Sequence, residues 1–268
     1  MKAIFNSRLT DIESIKLSIT NRAFCYGDGL FETIVTGPSR INLMDFHLER
    51  LNKACEVMNM HHPTLNSEKL SELILQLTDV NKLKGNIRVK LQVWRYTGGL
   101  YTPTAKSSSF LVEVSETNKP IFRRLDEIGI SETSSVHFTK ISFAKTMSSL
   151  PYVLAGIEGQ QKGWDDIVLL NSEGHVAETH ASNIFWVKNN KIFTSPIATG
   201  CIAGIMRRFI LTQLRVEEVM AKPTDLLMAD AIFSTNASGI SYFSRIGANQ
   251  LKSPEPILQN LIKQLQQP

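Results

Sequence analysis

Ile87, Val89, Leu91 and Val93 alternate with Arg88, Lys90, Gln92 and Trp94, the two-residue period of a half-buried strand. Residues 110–114 have the composition of a partner strand. Ahead of this pair the period changes. Leu51, Ala54, Cys55 and Met58 recur at helical spacing, which predicts a helix from an N-cap at Asp45 through Met60. A second helix follows Ser67, with Leu70, Leu73, Ile74 and Leu77 on one face, and residues 81–85 turn the chain after it. Residues 1–37 read as short strands and turns. They end in Gly27-Asp28-Gly29-Leu30-Phe31-Glu32-Thr33, where Glu32 stands in place of the third glycine of a dinucleotide fingerprint, so a turn entering a strand is expected.

Residues 115–120 are polar, contain Pro120 and have no periodicity, which places a domain boundary there. The division gives a small N-terminal α/β domain over residues 1–117 and a larger C-terminal α/β domain over 121–268 that carries Lys145. In the second part the pattern predicts a helix from about Ser149 to Lys162 and a strand over 166–170. A hairpin of residues 183–187 and 191–194 turns at Asn189-Asn190. Gly204 opens a helix to about Leu214, residues 231–235 form a strand, and a last amphipathic helix starts near Pro256. Strands and helices interleave in both halves, so an α/β (α+β) architecture of two domains with a cleft between them is expected.

Composition narrows the class. The chain has 268 residues, 43% of them hydrophobic and 20% charged, values of an ordinary globular protein able to bury a real core. Its net charge of +4 comes from scattered basic residues, without the phosphate-neutralising stripe of a nucleic-acid binder. Cys25, Cys55 and Cys201 fit neither a disulfide framework nor a zinc site. With no signal-peptide core or membrane span in view, a cytoplasmic protein is expected. His47, His61, His62, His137, His175 and His180 show no metal spacing and are expected to be structural or solvent-facing, His180 being notable for lying between Glu178 and Ser182.

The chemistry gathers in residues 143–186. Lys145 precedes an apolar helix, and Glu178 and Ser182-Asn183 stand between two strand-like runs. An amine able to form a Schiff base, a carboxylate for a ring nitrogen and polar groups for a phosphate are what pyridoxal phosphate asks for. Most lysines are solvated. Here Phe143, Ala144, Leu150, Val153 and Leu154 are apolar, so the amine is expected near a buried cleft that lowers its pKa. No nucleophile-elbow serine, paired-histidine metal motif or nucleotide-hydrolase phosphate loop is present.

Several runs together resemble the fold-type IV pyridoxal-phosphate enzymes, the class IV aminotransferase family, over nearly the whole chain. They are YGDGLFET (26–33), FHLERL (46–51), FAKTMSSLPYVLA (143–155), HVAETHASNIFW (175–186) and FSTNASG (233–239). The resemblance implies a two-domain, D-amino-acid aminotransferase-like fold and a homodimer. It makes Lys145 the Schiff-base lysine and Glu178 the partner of the pyridine nitrogen. Arg50, the turn Gly204-Ile205-Met206 and Thr235, with Ser182 and Asn183, would bind the cofactor, an arginine fork and a helix start being suited to oxyanions. Phe31, Arg95, Tyr101, Asn236 and Ala237 would face a small amine or amino-acid substrate.

Within the family, GDGLFET, TGGLYTP (97–103) and TNASGI (235–240) resemble the lyases that convert 4-amino-4-deoxychorismate to 4-aminobenzoate and pyruvate. Branched-chain aminotransferases usually carry an Ala-Glu pair in the last of these loops. Four positions depart from the lyase pattern: Tyr96 where a glycine is usual, Leu100 where many lyases have an arginine, and Tyr242-Phe243 for Pro-Val. The KTMSSLPYVLA run is close to that of aminotransferases, so a branched-chain or D-amino-acid aminotransferase is the alternative. A cofactor-binding protein without turnover is a third reading, disfavoured by the presence of Lys145, Glu178 and Arg50 together.

Overall fold

The computed structural model describes residues 1–38, 40, 42–61 and 65–266; His62 lies outside them. The chain separates into two compact units. The first contains Met1–Asn118 and Ala144–Ser148, and the second Lys119–Phe143 and Ser149–Gln266. Lys145, expected within the C-terminal domain, thus belongs to the first unit. Its segment is hydrogen-bonded along a strand edge there, and those bonds decide its allegiance.

In the first unit come β1 (Lys2–Phe5), β2 (Arg8–Asp11), α1 (Arg22–Tyr26) and β3 (Gly29–Thr36). They are followed by α2 (Met44–Val57), α3 (Ser67–Val80), β4 (Ile87–Arg95) and β5 (Ser108–Glu116). The strands form one antiparallel sheet in the order β2-β1-β5-β4-β3. Alternation in β4 buries Val89, Leu91 and Val93. Leu70, Leu73, Ile74 and Leu77 make the buried stripe of α3, as their spacing predicts. Asp45 is not the cap of α2. Leu43 holds that position, Asn42 Oδ1 accepts the Met44 N–H at 3.0 Å, and Asp45 sits in the first turn, where a negative charge favours the positive helix end. The helix ends at Val57 rather than Met60, and Asn59 just beyond it has a left-handed φ of 48°.

The second unit starts with β6 (Phe122–Val136), α4 (Leu150–Lys162), β7 (Asp166–Asn171) and β8 (Val176–Thr179). Then come β9 (Asn183–Lys188), β10 (Lys191–Thr194), α5 (Ile205–Gln213), β11 (Val216–Glu218) and α6 (Pro223–Leu227). The chain finishes with β12 (Ala231–Asn236), β13 (Gly239–Ile246), β14 (Asn249–Gln250) and α7 (Glu255–Leu265). The sheet order is β11-β10-β9-β12-β13-β6-β7-β8, with β14 beside β13. The β6–β13, β6–β7 and β10–β11 pairs are parallel, so the sheet is mixed. Its core includes Ile128, Val168, Ile184, Trp186, Ile232 and Phe243.

Chain length makes this sheet bend. Only His180, Ala181 and Ser182 join β8 to β9, yet the sheet path between them passes through β7, β6, β13 and β12. Laid flat, those strands would be about 24 Å apart at about 4.8 Å per step, beyond the roughly 14 Å that such a link can reach. The sheet therefore curls until β8 lies against β9, and the Thr179 N–H donates to Ser182 O at 2.7 Å. That curl brings the ends of β8, β9 and β12 together.

Candidate active site

Lys145 is placed by the edge of β3. Phe31 N–H donates to Lys145 O and Met147 N–H to Gly29 O, both at 2.9 Å, and Leu30 pairs with Thr146 as an antiparallel bridge. The segment is in effect a short extra strand on the open side of β3, which fixes where the lysine side chain leaves the backbone. Its Nζ lies 5.3 Å from the centroid of the Phe31 ring. The apolar residues expected to bury the amine do not do so. Leu150, Val153 and Leu154 are all exposed, and of the named neighbours only Ala144 is buried. Phe31, expected on the substrate side, is the aromatic ring next to the amine.

Arg50 is buried on α2 and held by Glu32 of β3. Its Nε donates to Glu32 Oε1 at 2.8 Å, a terminal nitrogen donates to Oε2, and His47 Nδ1 lies 2.7 Å from the same oxygen. Burial alone would raise the Glu32 carboxyl, but the Arg50 guanidinium and the His47 ring bring it down to about 2. The guanidinium plane is thereby fixed.

Arg95 does not fit a substrate-side role. It is buried, its Nε donates to Asp28 Oδ2 at 2.9 Å, and its terminal nitrogens donate to the carbonyls of Met58, Asn59 and Ala105. Arg22 shares Asp28 and donates to the carbonyls of Gly98, Gly99 and Leu100. It pins the glycine-rich loop, while Tyr101 is 90% exposed and rests against Tyr26.

Glu178 lies within β8, not between strands as expected, and is 2% exposed. Tyr152 Oη donates to its Oε1 at 2.8 Å and the Ile202 N–H to the same oxygen at 3.1 Å. Asn183 Nδ2 donates to Ile202 O at 2.7 Å and approaches Glu178 Oε2 at 3.5 Å. Asn183 therefore ties the carboxylate to the turn that leads into α5. Cys201, in that turn, is fully buried; burial first, and then the Glu178 charge, push its thiol up to about 12, so it remains protonated.

Gly204 is the N-cap of α5, and no side chain caps the helix. A Cβ at Gly204 would stand 1.9 Å from Asn183 Oδ1, so only glycine lets the turn approach β9 this closely. The free N–H groups opening the helix, with Ile205 and Met206 both buried, are suited to an anion. Thr235 of β12 is 1% exposed, and its Oγ1 has no hydrogen-bond partner. A buried hydroxyl left unbonded costs about 1–3 kcal/mol, and an anion at this place would satisfy it. Ser182 and Asn236 bond each other at 2.9 Å, and Asn236 Oδ1 also accepts the Ser238 N–H at 2.9 Å. Asn236 is thus engaged in shaping its own loop, with Ala237 at the tip.

His180 is half-buried, with Nδ1 2.7 Å from Asp166 Oδ1, and that pairing raises its pKa against the opposing effect of burial. Among the described residues no group of three or more His, Cys, Asp or Glu side chains could hold a metal. Likewise, no described helix is long and apolar enough to cross a membrane. The hydrogen bond of Tyr152 to Glu178 was not legible in the sequence. Its only signal was a phenol in the first turn of the helix after Lys145.

In the second unit a buried carboxylate with fixed donors, an uncapped helix start and an orphaned hydroxyl fit an aromatic phosphate ester; in the first unit the strand-edge lysine carries an amine of the kind that condenses with an aldehyde. The chain belongs to the class IV aminotransferases: the family model described as amino-transferase class IV matches residues 29–246. It is accordingly a pyridoxal-phosphate-dependent enzyme. An aminodeoxychorismate lyase of Vibrio harveyi is 29% identical over 249 residues, 88% of this chain and 90% of that protein. A putative branched-chain-amino-acid aminotransferase of Methanocaldococcus jannaschii is also 29% identical, over 251 residues, 89% of this chain and 85% of its own. The fold matches the branched-chain aminotransferase of Thermoproteus uzoniensis with a TM-score of 0.89 at 23% identity, covering 99% of this chain and 93% of that one.

Proposed function

We propose that the protein is a lyase that converts 4-amino-4-deoxychorismate to 4-aminobenzoate and pyruvate. The observation that carries this reading is Asn236, whose amide and carbonyl oxygen hold Ala181, Ser182 and Ser238 in one loop. That loop carries TNASGI, which resembles the corresponding loop of the lyases, where branched-chain aminotransferases usually carry an Ala-Glu pair. The relative from Vibrio harveyi supports the same choice.

In this reading Thr235 Oγ1 and the N–H groups opening α5 bind the phosphate, with Ser182 and Asn183 supporting the turn; Arg50 is assigned to the phosphate by its FHLERL run alone. Bound pyridoxal 5′-phosphate supplies an aldehyde for the substrate amine and an electron-withdrawing ring. The Lys145 amine takes the proton from the amine-bearing carbon. Glu178 keeps positive charge on the ring nitrogen, which a buried anion does more strongly than a solvated one. Loss of the enol-ether side chain as pyruvate then leaves the aromatic amine.

A transaminase is the second reading, favoured by the equal identity to the Methanocaldococcus jannaschii protein and by Leu100, exposed where a cation could have met a carboxylate. Association of two copies belongs to the same proposal, supported by exposed Phe24, Leu100 and Tyr101 on the first unit. Purified protein given aminodeoxychorismate is expected to release 4-aminobenzoate and pyruvate in equal amounts. Release of keto acids from a panel of L- and D-amino acids with 2-oxoglutarate, and no 4-aminobenzoate, would replace the lyase by the transaminase.

A further inference from the structure

We propose that Tyr152 is a positioning residue whose phenol, with the Ile202 N–H, holds the Glu178 carboxylate in place as an anion toward the coenzyme's ring nitrogen. The inference rests on the assignment of Glu178 above and goes beyond it, because it names what makes that glutamate fit for the task.

The two parts of Tyr152 do different things. Its ring packs against the cluster of Val136, Ala155, Ile167, Leu169, Ala177 and Cys201, which a phenylalanine would do equally well. Its hydroxyl ends on Glu178 Oε1 at 2.8 Å. A carboxylate buried among apolar residues is disfavoured as an anion unless donors compensate. Here two donors converge on one oxygen from opposite directions in sequence, Tyr152 from the first turn of α4 and Ile202 from the turn before α5. Both anchors are parts of the fold, so the carboxylate plane is set before any coenzyme arrives. Burial, and after it the Glu178 charge, push the phenol well above its usual range, so it donates at every working pH.

Removing the hydroxyl leaves the carboxylate with one fewer donor and makes it more basic. The proton shared with the ring nitrogen then shifts toward Glu178, and the ring is less well protonated. A purely structural tyrosine would not move that proton.

The test uses Tyr152→Phe, Glu178→Gln and the double variant, with pyridoxal 5′-phosphate labelled with nitrogen-15 in the ring. Tyr152→Phe is expected to weaken coenzyme binding about tenfold and to move the ring-nitrogen resonance toward the unprotonated position. In the Glu178→Gln background it should add no further loss, because residues acting through one contact are not additive. An unchanged resonance, or the same tenfold loss in both backgrounds, overturns the inference. Incorporating 3-fluorotyrosine at position 152 keeps the ring and strengthens the donor. It should move the resonance the opposite way, and its failure to do so is equally decisive should Tyr152→Phe fold poorly. Lys145→Ala separates the two levels: a visible coenzyme band surviving that change would sink the coenzyme assignment itself, whatever Tyr152 does.

Discussion

A Cβ on Gly29 would lie 2.6 Å from Met147 Sδ and 2.9 Å from Val93 O. One on Gly27 would meet Ser148 Oγ at 2.4 Å, and that glycine also needs its φ of 65°. The glycines of the 26–33 run are therefore there for the segment that carries Lys145, not for a phosphate. Gly29→Ala is expected to cost about 2 kcal/mol through overpacking and to reduce coenzyme loading several-fold, measured by urea denaturation and visible absorbance. Gly159→Ala is the contrast, since its Cβ would make ordinary contact at 3.5 Å with Ile167 and removes a helical glycine; it should be neutral or stabilising. Equal damage from both would refute the argument. The places of Glu178 and Thr235 inside motifs were legible in the sequence. Their burial, and the unbonded hydroxyl of Thr235, were not, since both depend on strands far apart in the chain.

At the scale of elements, β6 carries the clearest irregularity. Its pairing with β7 shifts register between Ile130 and Ser135, and Glu158 of α4 fills the break. Its carboxylate accepts the hydroxyls of Ser131 and Thr133, both at 2.6 Å, and the Glu132 N–H at 2.9 Å. Burial opposes the anion, but these donors hold the carboxyl at about 2. Because that value is below the unfolded one, the stabilisation is complete above about pH 5 and disappears as pH falls through about 2. Glu158→Gln should cost about 2 kcal/mol at pH 7, and the gap to the wild type should narrow steadily between about pH 5 and pH 3. A gap independent of pH would show that the charge is irrelevant. The same break explains why β6 was missed from the sequence: Gly129 and the polar Glu132-Thr133-Ser134-Ser135 run interrupt any alternation. The hairpin at Asn189-Asn190 was legible for the opposite reason. Both asparagines have left-handed φ, 50° and 61°, and asparagine tolerates that region better than most residues.

For the whole molecule, a dimer is expected in sedimentation at micromolar concentration, and a monomer independent of concentration would remove that part of the proposal. Mutating Phe24 and Tyr101 to serine should weaken association while leaving each unit folded. The interleaved helices and strands were readable from periodicity, whereas the curl of the second sheet follows from a three-residue link that only strand order reveals. Assigning Lys145 to the second half failed for a related reason, because local pattern does not report which distant edge a segment will join. That edge has a consequence during synthesis. The strand beginning at Gly29 leaves the ribosome well before residue 145 is made, and at about 5–20 residues per second the delay is on the order of ten seconds. Throughout that interval the nascent chain exposes an unpaired row of peptide groups open to neighbouring chains. Slow translation through this stretch is thus a period of aggregation risk, which lessens when the lysine segment docks along residues 29–31.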